Sequence, residues 1–269
     1  MTEKQYRRQW LRWHSGYENI VYKELLESFR KSANSIPFDF LTVDNYKVLT
    51  NVAIKEEPMI SMYYDFYKKV GTIHGKRLGK QFNKDIKEFT IASFFSIFEK
   101  ELLGFLYGQS LSRITSVRQG LVLYLQEFIA KGVADNKTII EIRNDITKLI
   151  NQKNFYRWQA LRIARTETTA AANYASTLVS KTSGVDTDKV WISAGDSRTR
   201  RLPKDQFSHA AMNLVKVPSD QPFKVPSKFG SQDMMYPGDP NGSAGNVINC
   251  RCSSAIVPRR DKDGRLIRV

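Results

Sequence analysis

Residues Arg162–Ala175 read RIARTETTAAANYA, an alanine-rich, arginine-flanked stretch, and the fold is decided by what a helix of this composition packs against. Ile163, Glu167, Ala170, Tyr174 and Leu178 recur at spacings of three and four, so they share one helix face. That face carries a carboxylate in an otherwise apolar stripe. Desolvating a lone carboxylate costs several kcal/mol or forces it to protonate, so Glu167 requires a cationic or hydrogen-bonding partner. Arg198 and Arg200, in WISAGDSRTR over Trp191–Arg200, are the expected suppliers. The expected network therefore comprises Glu167, Trp191, Asp196, Arg198 and Arg200.

Working outward, the chain presents Ala164-Arg165-Thr166-Glu167, then Trp191, then Asp196, Arg198, Thr199 and Arg200. His209 follows after RLPKDQFS, then Pro237-Gly238-Asp239-Pro240 and finally Asn249-Cys250-Arg251-Cys252. In this order the pieces resemble the phage Mu protein F-like head morphogenesis proteins, the minor capsid proteins of tailed phages. The spacing from Arg200 to His209 is longer than that family usually has. The resemblance covers roughly Leu125 to Pro258, and only the combination is specific, because a lone ARTE or CRC is weak. It implies a minor head protein of few copies, inside the capsid at or near the portal, acting in head morphogenesis and in DNA packaging or ejection. The implied partners are the portal protein and double-stranded DNA, with capsid or scaffold protein as further ones, and the implied location is the virion.

The composition is compatible with that reading. The chain has 269 residues, 41% hydrophobic and 12% aromatic, which is ample for a buried core. Lys plus Arg number 42 against 27 Asp plus Glu, a net charge of +15, which favours a polyanionic partner. The longest apolar run, Phe89–Phe98, is too short to cross a bilayer. The N-terminus MTEKQYRRQWLRWH lacks the apolar core of a signal peptide, so synthesis in the host cytoplasm without stable membrane insertion is expected. Cys250 and Cys252 are separated by one residue, where a disulfide would be strained, so two thiols or two thiolate ligands are expected.

Read in order, residues 4–31 predict an amphipathic helix with Trp10, Trp13, Tyr17, Ile20 and Val21 on one side. The stripe weakens after Val21, where Glu24 joins it. A second helix opens near Pro58 and frays through the glycine-spaced GTIHGKRLGKQ, which lacks phosphate-loop spacing. Lys84–Tyr107, with Ile86, Phe89, Phe94 and Phe98, is apolar on more than one side and predicts the central helix. Ile114–Ala130 with Gly132 as its cap, about Asn136 to Ile150 with Asn136 as N-cap, and about Phe155 to Lys181 complete the helices. Short strands are expected at Lys189–Ser193, Val215–Val217, Phe223–Val225 and Ser253–Val257, around a proline-rich connection. The fold class is thus α+β: a helical domain over 1–150, a smaller mixed α/β domain with short antiparallel strands over 151–258, and a basic tail over 259–269.

Three chemistries compete at the motif residues. His209, Cys250 and Cys252 with Asp196 offer a mixed shell of zinc-ligand types that would pin the proline-rich loop, though no cofactor is required by the reading. Two small buried thiols are the competing account. Glu167 or His209 as a catalytic group, in a phage-borne nuclease or ADP-ribosyltransferase-like toxin, competes with Glu167 in a structural ion-pair network. For duplex contact without sequence preference, Arg157, Arg162, Arg165, Arg201, Arg259 and Arg260 are the candidates, against a solvated helix face.

Overall fold

In the computed structural model, which describes residues 2–85, 91–152 and 155–269, an N-terminal helical region precedes a C-terminal region of small antiparallel sheets, an α+β fold. The helices are α1 (Glu3–Asn34), α2 (Tyr46–Ala53), α3 (Glu57–Asp85), α4 (Ile91–Phe105), α5 (Leu111–Ala134), α6 (Ile139–Asn151), α7 (Arg157–Thr182) and α8 (Ala244–Val247). The strands are β1 (Thr187–Ile192), β2 (Lys216–Pro218), β3 (Phe223–Ser227), β4 (Gly230–Met234) and β5 (Ser253–Pro258).

Helix α1 starts at a capping box in which Thr2 and Gln5 satisfy each other's backbone N–H groups. Its apolar stripe does not weaken after Val21: Trp10, Tyr17, Val21, Leu25 and Phe29 are all buried, and Glu24 turns sideways to pair with Lys69. GTIHGKRLGKQ is regular helix within α3, and its glycines have a packing role. The rings of Phe98 and Phe94 lie where a Cβ on Gly71 or Gly75 would stand, so α3 and α4 approach closely. A π turn at Leu106–Ser110 joins α4 to α5. Gly132 lies inside α5, under Ile142, rather than at its cap. The box that starts α6 is Thr138 with Glu141, while Asn136 turns the chain at φ 56°.

The expected centre of the helical region is corrected. Helix α4 buries Phe94, Phe98, Leu102 and Phe105 but exposes Leu103, and Tyr107 beyond it, so it is a flank; Ile86 and Phe89 lie outside the described residues. The central helix is α7, in which every residue from Thr166 to Ser176 is buried. It packs against α1, α3, α4 and β5. Its Ala, Thr and Ser side chains are short enough for neighbours to approach from all directions, so the face expected of residues 163–178 becomes a full circumference. One buried cluster runs from α1 through α7 to Val185, Ile192 and Tyr236, continuous across residue 150.

The sheet order is β2-β1-β5, antiparallel throughout, with Trp191 opposite Ser254. Strands β3 and β4 form a separate hairpin. The sequence GSQDM of β4 alternates too weakly to be anticipated as a strand. A second small core, comprising Trp191, Phe207, Met212, Phe223, Val225, Met234, Val247, Cys250 and Cys252, sits between sheet and hairpin. The tail folds back through a turn at Asp261–Arg265, and Asp186 N–H donates to the Ile267 carbonyl at 2.8 Å.

Two histidines are sealed where α1, α3 and α7 meet. His14 Nε2 lies 2.9 Å from Thr169 Oγ1, and His74 Nε2 lies 3.0 Å from Ser176 Oγ. Burial, reinforced by Arg251 and Arg165 at His14 and by Arg77 at His74, lowers both to about 3. Below the ordinary imidazole value of about 6.5 the unfolded chain takes up protons that the folded chain refuses. Stability is therefore full above about pH 6.5 and falls on acidification, on the order of 2 kcal/mol per histidine by pH 5. Urea unfolding between pH 7.5 and 5 should show this loss, halved in His74→Gln, and a flat profile would contradict the burial.

Candidate metal centre and ion-pair network

Glu167, 2% exposed, lies mid-helix on α7. Its Oε2 accepts from the Tyr67 hydroxyl on α3 at 2.8 Å and from Arg113 Nη2 on α5 at 2.6 Å. Arg113 also donates to Tyr67 Oη at 3.2 Å. Burial works against the Arg113 charge, and Glu167 more than offsets it, so the guanidinium is raised above its usual range. Burial, and then the Glu167 charge, push the Tyr63 and Tyr67 hydroxyls well above the phenol range. A half-open cavity of about 390 Å³, lined by Arg113, Tyr156, Arg162, Thr166, Glu167 and Pro240 among others, borders the pair.

Arg198 and Arg200 are not the partners of Glu167. The Arg198 backbone N–H donates to Asp196 Oδ1 at 3.1 Å, and the Arg200 guanidinium donates to the Ile248 carbonyl. The physical reason is the side of α7 involved. Glu167 faces α3 and α5, whereas the segment leading into the Asp-x-Arg-Thr-Arg turn is held by α1, where Arg7 Nε donates to the Ser193 carbonyl at 3.0 Å. The π turn before Arg113 rotates the start of α5 relative to a regular helix, a phase that α-helical periodicity does not supply.

The motif pieces nevertheless converge on one another. Along α7, Thr166 Oγ1 accepts from Asn249 N–H at 2.9 Å, Thr169 Oγ1 donates to the Cys250 carbonyl, and Asn173 Nδ2 donates to Pro237 O at 2.9 Å. Asn173 also takes Ser254 N–H at 2.9 Å. Trp10 Nε1 holds the Arg251 carbonyl from the other side at 2.7 Å. Gly238 fits here for want of a side chain: its φ is +85°, and a Cβ would stand 3.0 Å from the Ala170 nitrogen. The proline-rich connection is thus anchored by hydrogen bonds to α7 as well as by its own small core.

His209, Cys250 and Cys252 come together, all buried, with their ligand-type atoms within 4.8 Å of one another, and the group can hold a metal ion. Cys250 Sγ is 3.5 Å and Cys252 Sγ 3.6 Å from His209 Nδ1. The other ring nitrogen, Nε2, is 2.6 Å from Asn246 Oδ1, and Asn246 Nδ2 donates to Gln232 Oε1 at 2.9 Å. Asn246 therefore presents its carbonyl oxygen, Nε2 carries the proton, and the Nδ1 lone pair faces the sulfurs. A hydrogen bond from Cys252 favours the Cys250 thiolate, holding Cys250 below the thiol range and Cys252 above it. Trp191 covers the imidazole edge-on, with ring centroids 5.3 Å apart.

One expectation about this site is corrected. Asp196 is not in the group, because its carboxylate is taken by Arg251, Arg198 N–H and Thr199 Oγ1. Burial alone would raise Asp196, and Arg251 outweighs it, leaving the carboxyl below its usual value. The cysteines immediately precede β5, and Asn249, at φ 60°, makes the turn that aims them. Asn246, Arg113 and Tyr67 carried no signal that sequence reasoning could use, since each is one polar residue among many.

The candidate DNA-contacting arginines divide by element. Arg157 and Arg162 are exposed on the first two turns of α7. Arg165 is tied to Glu18 at 2.8 Å and Asn249 at 3.1 Å. Arg201 donates to the Asp196 and Thr199 carbonyls, and Arg260 to the Gly264 carbonyl. Arg259 pairs with Asp186 and Asp188 at 2.8 and 2.6 Å, which removes it from the set of available cations. No described hydrogen bond or ion pair links Glu167 to His209. No helix among the described residues is long and apolar enough to cross a membrane.

Comparison with protein-family models, with curated proteins and with solved structures returns no match.

The ion pair predicts a specific pattern of stability loss. Arg113→Ala leaves a buried carboxylate unpaired and should cost roughly 3–5 kcal/mol, as should Glu167→Ala, which strands the guanidinium. Arg198→Ala, at an exposed side chain, should stay within about 0.5 kcal/mol. Denaturant midpoints of the three variants check the assignment, and equal losses at Arg198 and Arg113 would contradict it.

Proposed function

We propose that this chain is a minor head protein of the phage Mu protein F-like kind, located in the capsid interior near the portal. It acts in head morphogenesis and in the passage of DNA during packaging or ejection, binding duplex DNA without sequence preference. Its partners are the portal protein and double-stranded DNA, with capsid or scaffold protein as further contacts. One observation carries this reading. The pieces that prompted the resemblance, spread over nearly ninety residues from Ala164 to Cys252, meet as one bonded unit: Thr166 with Asn249, Thr169 with Cys250, Asn173 with Pro237, Asp196 with Arg251 and Trp191 with His209. Motif residues that contact each other through backbone atoms and buried pairs serve a shared architecture, and the paired Glu167 fits a scaffold role. The net charge of +15 supports the DNA contact.

Two measurements bear on the function. Titration of random-sequence duplexes at two ionic strengths should show affinity that falls steeply with salt as counterions are released. Binding that is absent at low salt, or indifferent to salt, removes the DNA contact. Mass spectrometry of purified virions should find the chain in few copies, and its absence removes the head-protein reading.

The metal is inferred to be zinc, from a donor set of two thiolates and one imidazole whose second nitrogen is hydrogen-bonded. His209, Cys250 and Cys252 would hold it, and bound there it would cross-link the loop bearing His209 to the segment before β5. Protein purified without chelator should carry about one equivalent, released on alkylation of the thiols. Less than roughly a tenth of an equivalent of any transition metal leaves the trio as a thiol–imidazole cluster.

A further inference from the structure

Of the four tryptophans, Trp10 and Trp191 are sealed in the cores and Trp13 is half-buried, but Trp158 is 78% exposed. It sits on the first turn of α7, one residue beyond Arg157, which follows the buried Phe155 and Tyr156. Those two rings pack on Tyr124 and anchor the chain at a left-handed turn at Tyr156, φ 48°, so the indole is carried on a fixed base. A single exposed apolar residue is unremarkable on a protein surface. This one is set among cations. The Arg157 guanidinium lies 5.9 Å from the indole centroid. Trp158, Leu161, Arg162 and Arg165 follow at helical spacings of three and four, forming one stripe about 10 Å long.

Beneath the stripe is a shallow cavity of about 310 Å³, lined by Trp158, Gln159, Leu161, Arg162, Arg165 and Asn249. Arg162 is shared with the cavity that borders Glu167. Its side chain makes no hydrogen bond or ion pair among the described residues, whereas Arg165 is paired with Glu18 and Asn249. Arg200 reaches the same edge through the Ile248 carbonyl. A flat π surface flanked by guanidinium groups matches a nucleotide with an unpaired base: the ring stacks and the cations take the phosphates. A duplex would use only the cations, because its bases are already stacked on each other.

We propose that the exposed face of the first two turns of α7 is a single-stranded DNA site, in which Trp158 stacks on an unpaired base and Arg157 and Arg162 face the adjoining phosphates. The site rests on the DNA-contact reading above and adds to it a preference for unpaired segments.

Anisotropy of a fluorescein-labelled oligo-dT of about fifteen nucleotides, alongside a blunt duplex, tests the site. Trp158→Ala should weaken oligo-dT binding about 5- to 150-fold, the range for loss of one base stack. Trp158→Phe should retain most of the affinity, and neither variant should alter duplex binding. Arg162→Gln should reduce the salt slope by about 0.7 for oligo-dT. Unchanged oligo-dT binding by Trp158→Ala, with salt-dependent duplex binding intact, overturns the site and leaves the DNA-contact reading standing. A wild-type chain that binds neither nucleic acid at low salt overturns both. Trp158→Ala that binds oligo-dT like wild type but loses co-purification with the portal protein overturns the site in favour of a protein-docking role.

Discussion

A helix enclosed on every side is the constraint on which the rest of this structure depends. Helix α7 has no solvent face between Thr166 and Ser176, so every side chain there must be small or fully paired. Its alanines allow α1, α3 and α4 to close on it, and its threonines, serine and asparagine supply the hydrogen bonds that draw in the non-helical segments. Thr166, Thr169 and Asn173, at spacings of three and four, form a ladder to which Asn249, Cys250, Pro237 and Ser254 attach. The C-terminal region therefore does not fold beside the helical region but onto its central member.

The same enclosure explains the polar inventory. A carboxylate within α7 cannot reach solvent, and Glu167 survives there by sharing its oxygen between a tyrosine and an arginine from two other helices. His14 and His74 meet α7 through Thr169 and Ser176, as neutral rings that accept or donate without adding buried charge. Helices α1, α3 and α5 are thereby fixed in rotation about α7, since each contributes one half of a bond that the other half cannot replace. Polar specificity of this kind complements apolar packing, which fixes proximity more than rotation.

In the C-terminal region, the His209–Cys250–Cys252 trio does for the small core what Glu167 does for the large one. It joins a loop to the edge of a sheet, with Asn246 and Gln232 orienting the imidazole from behind. Exposed Trp158 stands apart from both, at the one end of α7 that the neighbouring helices leave open. Buried architecture and accessible surface are thus carried by different portions of a single helix.

Much of this was determined by sequence alone. The α+β class, the extents of α1, α6 and α7 to within a few residues, and strands β1, β2, β3 and β5 follow from periodicity, turn residues and β-branched runs. So does the grouping of His209 with Cys250 and Cys252, because these are the residue types a metal takes and they are rare here. What only the tertiary structure decided was partnership. That Glu167 needs a partner was legible, because an apolar stripe cannot hold a bare carboxylate; that the partner is Arg113 was not. Basic residues number 42 in this chain, and the choice among them depends on the π turn that sets the phase of α5 and on the side of α7 that faces it. Likewise Asp196 was a plausible ligand by type, and Arg251 claims it by position. Helical spacing assigns a residue to a face, whereas the identity of what meets that face depends on how distant elements rotate and cross, which no local pattern encodes.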